Sequence, residues 1–593
     1  PWSIAENPLY PLYYRESTSK RNSFLTNISS KIQFTNWLNL ETKYTYEKYH
    51  SFARGYNPKG YLYMDTAFYK GLLEKTNYEN NSQNFQTTLN FNKVINDFTV
   101  KSKVSYLYEQ EDWDNTYTSG KDFIVSNIPQ FNYSDPTQSE NSSYNGTIKA
   151  IDIFGIVDAD YMSKYIVSGL IRRDGSSLFG ENERWHIYYR VAGAYRITED
   201  VEIPGIQELK LRAAIGTSGQ RPGYSDQYET YYSDNGNLYK DHLGNKNLKP
   251  SESTEIEYAL DAQFLKIMSF TASYSETSTK DALLQVPAAS NYFGFPSQIK
   301  NAGTIKSQSL EFSLNIKAIH KKYIKLSFGF NFDRIRQQIE DLALNKFYTG
   351  PRDAFLVEPG QNYGIILGNQ WLTSLDDMAN QLPEGMTIDD YEINSEGYVI
   401  SAGTEGSPSE TPVALDADND GTEDKVIIAD CNPDFNLNFN TNFSYKGISL
   451  YMLWSLKQGG DVYNKTKQYL FLENRAGEID QSGKPEDQKK SIYYYQAFYN
   501  GNNLNSYFVE DGGFLKLREL SLAYLYNFKK DSKIGGILKS VKLGMVAHNL
   551  LTITKYTGYD PEVGNSNYSA NFSYDSYGYP NFRTITGSIE FTF

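Results

Sequence analysis

The sequence has a single cysteine, Cys431, and no apolar run that reaches the roughly 18 residues of a membrane-spanning helix. One cysteine excludes an internal disulfide and a metal site built on paired cysteines. The lack of a long apolar run excludes a helical membrane protein but not a β-barrel, whose strands are apolar on one face only. Lys and Arg (57) are fewer than Asp and Glu (71), and the net charge of −14 argues against nucleic acid as a partner.

Signatures of catalysis are also missing. The five histidines are scattered, and neither an HExxH pair nor a Ser-His-Asp spacing stands out. The segment 216–219 reads GTSG and lacks the lysine of a phosphate-binding loop. We therefore expect that the protein is not an enzyme.

Aromatic residues, by contrast, are abundant. The chain has 51 tyrosines and 33 phenylalanines, and aromatic residues make up 15% of it. Membrane barrels place such rings in girdles at both interfaces with water. Large secreted or carbohydrate-binding β proteins are also rich in tyrosine, so composition alone leaves both classes open.

The last stretch of the chain, 579–593, alternates between apolar and polar side chains. A period of two predicts a strand with one apolar and one polar face. A long apolar strand edge in a soluble sheet invites aggregation, so the pattern favours the closing strand of a membrane barrel, whose apolar face contacts lipid. The positions on the apolar face are Ile585, Gly587, Ile589, Phe591 and Phe593.

Similar period-two runs recur along the chain and predict about 17 strands. Most come in pairs joined by a short turn, for example at Asn96-Asp97, at Asp158-Ala159-Asp160 and at Lys446-Gly447. The predicted strands lie near 24–36, 37–48, 83–93, 97–110, 145–157, 160–173, 184–197, 208–217, 253–264, 267–279, 308–318, 322–334, 433–446, 447–457, 512–527, 538–548 and 580–593.

The connections alternate between short and long. Outer-membrane barrels have short periplasmic turns and long extracellular loops, whereas a β-sandwich lacks this asymmetry and a β-propeller repeats a common motif. The fold prediction is therefore all-β: a transmembrane antiparallel β-barrel with long extracellular loops, in the outer membrane of a Gram-negative cell. The predicted long connections are 49–82, 111–144, 174–183, 218–252, 280–307, 335–432, 458–511 and 549–579.

Strand direction adds an expectation about the N-terminal side. The last strand follows a long loop, so it runs from the outside to the periplasm, and counting back through about 17 strands gives the first strand the same direction. Because single-chain bacterial barrels have an even number of strands, we expect an odd number of strands to precede this sequence. Residues 1–593 would then be the barrel portion of a longer protein, without its first strands, plug and signal peptide.

Several groups of short segments follow one another in order from residue 172 to the end. In this order they resemble the SusC/RagA family of TonB-linked outer-membrane proteins. The segments are RRDGSS (172–177), FGEN (179–182), RW (184–185), LKLR (209–212), GTSG (216–219), LKP (248–250), NAG (301–303), GFLKLR (513–518), NL (549–550), GYDPE (558–562) and the closing stretch from 579.

The resemblance implies a barrel of roughly 22 strands, of which about five lie outside this sequence, an odd number as strand direction requires. It also implies an N-terminal plug, a segment that binds TonB, and a SusD-like lipoprotein. The expected function is TonB-dependent import of oligosaccharides or peptides across the outer membrane. The alternative is a passive porin or an adhesion-type barrel. TonB would act through the missing N-terminal part, so no residue here is assigned to that contact.

An acidic segment in the loop near 335–432 has the pattern of a calcium loop. Aspartates at alternate positions can converge on one hard cation, and the glycine that follows them permits a sharp turn. The twelfth position, usually a bidentate glutamate, is Ile427, which weakens the prediction. The alternative is a solvated acidic turn, and we expect no cofactor other than this structural calcium. The candidate ligands are Asp416, Asp418, Asp420 and Asp424.

Aromatic residues also cluster in the long loops. Aromatic faces suit sugar rings and peptide side chains, so these residues are candidates for substrate binding. The alternative is packing of one loop on another over the mouth of the barrel. We also expect 493–495 to be exposed and to form part of the interface with the lipoprotein. The candidates are Trp371, Tyr493, Tyr494, Tyr495 and Tyr499.

Overall fold

The computed structural model describes residues 9–60, 70–234, 237–287, 294–342, 346–499, 504–529, 534, 536–562, 573–578 and 580–593. Tyr579, the first residue of the predicted closing stretch, lies outside the described residues. The described chain is nearly all β, and its main sheet contains 17 strands, which confirms the predicted fold class and strand number. None of the helices in these ranges is long and apolar enough to cross a membrane.

The strands of the main sheet are numbered in chain order. They are β1 (Glu16–Thr35), β2 (Leu38–Asn57), β3 (Leu72–Ile95), β4 (Phe98–Lys121), β5 (Ser139–Tyr161), β6 (Tyr165–Ser176), β7 (Trp185–Arg196), β8 (Ile206–Gln220), β9 (Ser251–Phe264), β10 (Met268–Lys280), β11 (Gly303–His320), β12 (Ile324–Leu342), β13 (Phe435–Tyr445), β14 (Ile448–Gln458), β15 (Phe514–Asn527), β16 (Ser540–Thr554) and β17 (Thr584–Thr592).

Short elements occupy the long connections. The helices are α1 (Leu9–Tyr14), which precedes β1, and α2 (Leu375–Ala379), α3 (Lys465–Leu472) and α4 (Ile492–Phe498) in loops. The loop strands are Tyr231–Asp234, Asn237–Lys240, His242–Leu243, Leu283–Pro287, Ser297–Asn301, Phe347–Thr349, Phe355–Val357, Ile365–Asn369, Tyr391–Ile393, Val399–Ser401, Lys425–Asp430, Asp461–Asn464, Val509–Asp511 and Tyr574–Asp575.

Two of the predicted short turns are confirmed. At the first, Ile95 pairs with Phe98, and Asn96 between them has a φ of 52°. At the second, Lys446 and Gly447 have φ values of 45° and 95°. Positive φ at both central residues, as at Lys446 and Gly447, is the hairpin geometry that matches the twist of the flanking strands, and glycine adopts it without steric cost.

The predicted turn at Asp158-Ala159-Asp160 is wrong. These three residues continue β5 and pair with residues 166–168 of β6. The turn lies at Met162 and Ser163, each with a φ of 56°. Neither residue type is typical of a left-handed turn position, whereas the aspartates are frequent in turns, so the local sequence pointed to the wrong place.

Several strands continue well beyond the apolar alternation that predicted them. The register of β3 and β4 extends from the Ile95–Phe98 pair to the Leu72–Lys121 pair. The connections predicted at 49–82 and 111–144 are therefore only 58–71 and 122–138. Beyond Leu72 and Leu73, the added part of β3 is mostly polar, so it shows no period of two. Its backbone still forms the ladder, because those hydrogen bonds do not require apolar side chains.

The apolar face of the strands points away from the protein. In β6, Val167 and Ile171 each expose more than half of their surface, whereas Arg172 and Asp174 of the other face lie beside the buried Asp152 of β5. Such a face is stable where it contacts lipid. In β17 the side chains of both faces are exposed. The alternation of side chains predicted such a face, and for β17 itself the contact with lipid stays a prediction.

The chain divides into two compact units. The first consists of residues 1–194, 214–254 and 281–301, and the second of 195–213, 255–280 and 302–593. The first unit contains β1 to β6, and Tyr56, Leu73 and Phe123 form a small buried cluster in it. The second contains β11 to β17 and the long loops between them. The prediction of one barrel domain over 1–593 stays a prediction.

Candidate functional site

Three long loops of the second unit share one buried aromatic cluster, which we call the loop core. The loops are 343–434, 459–513 and 555–583, and each contributes side chains to the cluster. Its closest ring pair is Phe498 and Tyr507, whose centroids are 4.0 Å apart. The buried members are Ala354, Phe355, Ile366, Trp371, Ala429, Cys431, Tyr463, Phe471, Ala476, Tyr494, Tyr495, Phe498, Leu504, Phe508 and Tyr574.

The candidate substrate-binding aromatics divide between this core and the surface. Trp371, Tyr494 and Tyr495 are buried in the loop core, which is the packing that the alternative interpretation describes. Tyr493 is 62% exposed, and Tyr499 is partly exposed. The expectation that all of 493–495 are exposed is therefore wrong for Tyr494 and Tyr495. The role of the five residues in substrate binding stays a prediction.

A short helix decides which of these tyrosines are buried. Helix α4 begins after Ser491, whose side chain accepts a hydrogen bond from the Tyr493 amide. On a helix, residues separated by three or four positions share a face, so Tyr494 and Tyr495 lie on the face of Phe498. Their hydroxyls donate to the two carboxylate oxygens of Glu396 over 3.0 and 3.3 Å. Burial raises the pKa of Tyr495 to about 12, so both rings stay neutral at physiological pH.

A buried ion pair joins two of the loops. Lys490 Nζ lies 2.6 Å from Glu410 Oε1 and 2.9 Å from Glu405 Oε1. Glu410 Oε1 also accepts from the side-chain amide of Asn394. The hydrogen bond from Lys490 lowers the pKa of Glu405 to about 2. Burial lowers the pKa of Lys490, but its two carboxylate partners outweigh this and raise the pKa above its usual value. No local pattern in the sequence indicates this pair.

The acidic segment brings three of its four predicted ligands together. One carboxylate oxygen from each of Asp416, Asp418 and Asp420 lies within 4.8 Å of the others. Asp424 Oδ2 instead accepts from the amide of Ala417 over 2.8 Å. Hard cations such as calcium take carboxylate oxygens in this spacing, but the same oxygens also accept backbone amides here, as they do in a solvated turn.

Two of the sequence motifs meet in the second unit. Lys516 and Arg518 belong to GFLKLR, and Asp560 and Glu562 belong to GYDPE. Lys516 Nζ lies 2.5 Å from Asp560 and 2.6 Å from Glu562, and Arg518 forms a bidentate pair with Glu562. These contacts fasten the start of the loop after β16 to the neighbouring strand β15. Ion pairs between oppositely charged side chains therefore explain why both motifs carry charge.

Three further motifs interlock in the first unit. The amide of Gly180 donates to the carbonyl of Leu248, and a Cβ at Gly180 would lie 2.3 Å from the carbonyl oxygen of Lys246. Asn301 exchanges two hydrogen bonds with the backbone of Lys249. FGEN, LKP and NAG thus form one connected structure, in which only glycine fits at residue 180.

The motif RRDGSS supplies a charged cluster to the first unit. Arg172 and Asp174 share a face of β6, where they lie opposite the buried Asp152 of β5. Arg172 pairs with Asp152 over 2.9 Å, and Arg221 pairs with Asp174 over 2.8 Å. Because buried carboxylates are stable only when they are paired, the two arginines account for the burial of both aspartates.

This fold, with its apolar outer face, its alternation of short turns and long loops, and its interlocked motifs, defines a β-barrel of the outer membrane. The chain belongs to the family described as TonB dependent receptor-like, beta-barrel, whose model matches residues 2–375. Members of this family lie in the outer membrane of Gram-negative bacteria, and the predicted family and location are confirmed.

The chain is also similar to individual proteins. TonB-dependent receptor P3 of Formosa agariphila is 25% identical over 97% of this chain and 58% of its own length. TonB-dependent receptor SusC of Bacteroides thetaiotaomicron is 25% identical over 72% of this chain and 42% of its own length. The chain thus spans roughly half the length of these relatives.

A solved structure shows the same fold. The RagAB peptide transporter superposes with a TM-score of 0.78 and 20% identity over 99% of this chain and 63% of that chain. A second RagAB structure, the peptide importer in its open-open state, also gives 0.78 at 19% identity.

Proposed function

We propose that this chain is the barrel of a TonB-dependent importer, which takes up oligosaccharides or peptides together with a SusD-like lipoprotein. The observation that carries the proposal is the family match over residues 2–375. The loop core supports it, because three loops packed around shared aromatic rings form a stable platform for binding. The likeness to RagAB, a peptide transporter by its description, supports the barrel fold that the proposal requires.

The substrate class is tested by growth. A strain that lacks the gene should lose growth on one class of oligosaccharide or on peptides, and reintroducing the gene should restore that growth. Growth on monosaccharides and free amino acids is the control, because such small solutes pass through general porins. Unchanged growth of the deletion strain on every oligosaccharide and peptide would contradict the import proposal.

The lipoprotein partner is tested by purification. Tyr493 is exposed on α4 and stands among the long loops, where a lid on the outside would make contact. After mild solubilisation of native membranes, we expect one lipoprotein to purify with the barrel at equal amounts. Recovery of the barrel alone under the mildest conditions would contradict the partnership.

The second candidate function is a passive porin or an adhesion-type barrel. Energy dependence separates it from the importer, since diffusion through a porin does not need the proton-motive force. An adhesin would support attachment without any uptake. The comparison of uptake with and without the proton-motive force therefore decides among the three.

We also propose that Asp416, Asp418 and Asp420 hold a structural calcium ion. Asp424 would contribute to the site indirectly, through a bridging water. The convergence of three carboxylate oxygens within 4.8 Å supports this assignment. Gly421, with a φ of 85°, provides the turn that follows the three aspartates. Calcium would stabilise the loop by binding only its folded form.

A further inference from the structure

A group of side chains outside the predicted site, two of them exposed, combines a cation with stacked rings. We call Arg352, Tyr469 and Tyr577 the Arg–Tyr patch. Arg352 Nη2 donates to the Tyr469 hydroxyl over 2.6 Å, and the rings of Tyr469 and Tyr577 are stacked with their centroids 5.4 Å apart. Arg352 is exposed, and Tyr577 is 58% exposed. Each of the three long loops of the second unit contributes one of these residues.

A buried lysine lies behind the patch. Lys465 is 1% exposed, and its ammonium lies 4.9 Å from the centroid of the Tyr469 ring. The same ring has the guanidinium carbon of Arg352 5.7 Å from its centroid. Lys465 donates to the neutral amide oxygen of Gln468 over 2.7 Å. Over the part of the chain that the structure describes, no carboxylate lies within ion-pair distance of Lys465.

Two other buried lysines of this unit have carboxylate partners of the kind that Lys465 lacks among the described residues. The side chains of Lys490 and Lys516 are also 1% exposed, and each is paired with two carboxylates. A buried charge is costly unless it is paired, and most proteins satisfy it as these two lysines do. Lys465 is therefore the exception. Burial, together with the charge of Arg352, lowers its pKa to about 8, which leaves most of the side chain charged at neutral pH.

The backbone holds the patch in place. Arg352 has a φ of 54°, which is left-handed, and the next two residues, Asp353 and Ala354, lead into the loop core. A non-glycine residue keeps this conformation only where the surrounding structure fixes it. The Tyr577 amide donates to Thr466 Oγ1 over 2.8 Å, so Tyr577 is fixed to helix α3. The patch is thus organised before any ligand arrives.

We propose that the Arg–Tyr patch, with the buried charge of Lys465 behind it, binds the carboxylate of an acidic oligosaccharide. Beside its bond to Tyr469, Arg352 has further guanidinium N–H groups in the planar geometry that matches a carboxylate, and Lys465 adds a positive charge that none of the described carboxylates pairs with. The exposed face of Tyr577 fits the flat C–H face of a sugar ring. In a uronic acid the carboxylate is attached to that ring, so one unit presents the face and the charge together, whereas an acidic peptide side chain carries its charge on a flexible stem.

This proposal rests on the proposed import function and names the substrate class. The binding test uses the full-length protein, purified with any lipoprotein that accompanies it. The probes are tetramers of galacturonate, guluronate and glucuronate, the methyl ester of the galacturonate tetramer, a neutral tetramer and an acidic tetrapeptide. The free acid should bind at least about tenfold more tightly than its methyl ester, which keeps the rings and loses the charge. Binding should weaken as salt is added.

Variants separate the roles of the residues. Arg352→Gln and Tyr577→Ala should each weaken binding of the acid at least about tenfold and leave the neutral tetramer unchanged. Lys465→Met should also weaken binding of the acid, but with equal or greater thermal stability, because it removes a buried charge that has no carboxylate partner among the described residues. A purely structural lysine would instead lower stability. The matched control is Lys489→Gln, a partly exposed lysine of the same loop, which should change nothing.

Several outcomes would overturn the proposal. The proposed anion site would be contradicted if the acid and its ester bind with equal affinity, or if Arg352→Gln leaves the affinity for the acid unchanged. Failure of every acidic tetramer to bind, or Arg352-dependent binding of the acidic peptide alone, would overturn the oligosaccharide class. Loss of energised uptake is a separate result. If the acid binds more tightly than its ester but uptake does not need energy, the anion site is supported and the import function is contradicted. If uptake needs energy but Arg352→Gln binds the acid unchanged, the import function is supported and the anion site is contradicted.

Discussion

Lys490 and Glu410 form a salt bridge of 2.6 Å between two side chains that water does not reach, and they lie 80 residues apart in the sequence. The pair fastens the segment around 394–410 to the start of helix α4. Asn394 and Tyr494 complete the contact, since the side-chain amide of Asn394 donates both to Glu410 and to the Tyr494 hydroxyl. Two loops that are distant in sequence therefore form one structure.

We predict that Lys490→Met opens this structure. Removing one partner of a buried ion pair leaves an uncompensated charge and typically costs about 3–5 kcal/mol. Hydrogen exchange of 394–410 should become much faster. Lys489→Met is the control, because that lysine pairs with the exposed Glu486 and such surface pairs contribute about 0–1 kcal/mol. Equal exchange rates in the two variants would contradict the role given to Lys490.

The stability of the same segment should depend on acid pH. The folded state lowers the pKa of Glu405 to about 2 from a usual value near 4.5, so its ionised form favours the folded state. This stabilisation is complete above about pH 4.5 and is lost as the pH falls through about 2. Cleavage of 394–410 by pepsin should stay slow at pH 4 and accelerate near pH 2. In Glu405→Gln the rate of pepsin cleavage should increase less between pH 4 and pH 2. The same pH profile in the variant and in the unaltered protein would contradict the role of Glu405.

The calcium proposal predicts a protected loop. Calcium should slow proteolysis of 410–432, and chelator should reverse the effect. Asp418→Ala should abolish the dependence on calcium, because it removes one of three converging carboxylates. Asp389→Ala, an exposed aspartate in the same connection, is the control and should keep the dependence. Equal protection with calcium and with chelator in the unaltered protein would exclude the site.

The orientation of the loops can be read by cysteine labelling. The native Cys431 is buried, so it should not react in intact cells. Glu486→Cys places a thiol at an exposed position of the loop 459–513, and Lys164→Cys places one in the short turn between β5 and β6. If the long loops are outside, an impermeant maleimide labels only the first variant. Labelling of the second variant alone would reverse the topology.

The sequence was sufficient for the strands and their class. Alternation of side chains such as Ile585, Ile589 and Phe591 shows a strand directly, because one face meets lipid and the other does not. Lys446-Gly447 shows a turn, because glycine tolerates the positive φ that the turn requires. The extended parts of β3 and β4 could not be found this way, since polar residues on both faces leave no period to detect.

The sites were harder to predict, because they depend on contacts between distant segments. Tyr493 and Tyr494 are adjacent and identical in sequence, yet one is exposed and the other is buried. Only helix α4, capped at Ser491, decides between them. The pairing of Lys490 with Glu410 and the stacking of Tyr469 on Tyr577 join different loops, and no spacing in the sequence indicates either. The acidic triad was visible because its three ligands are close together in one short segment.

The central claim is that this barrel serves energised import, and uptake of a labelled substrate tests it most directly. The substrate is the one identified by growth, and uptake is measured in cells with the intact gene, with a protonophore, and in a strain without TonB. We predict that accumulation in both of the latter falls to the level of the gene deletion, while uptake of a small solute through general porins is unchanged. Equal accumulation with and without the proton-motive force would contradict the claim and identify the barrel as a passive pore.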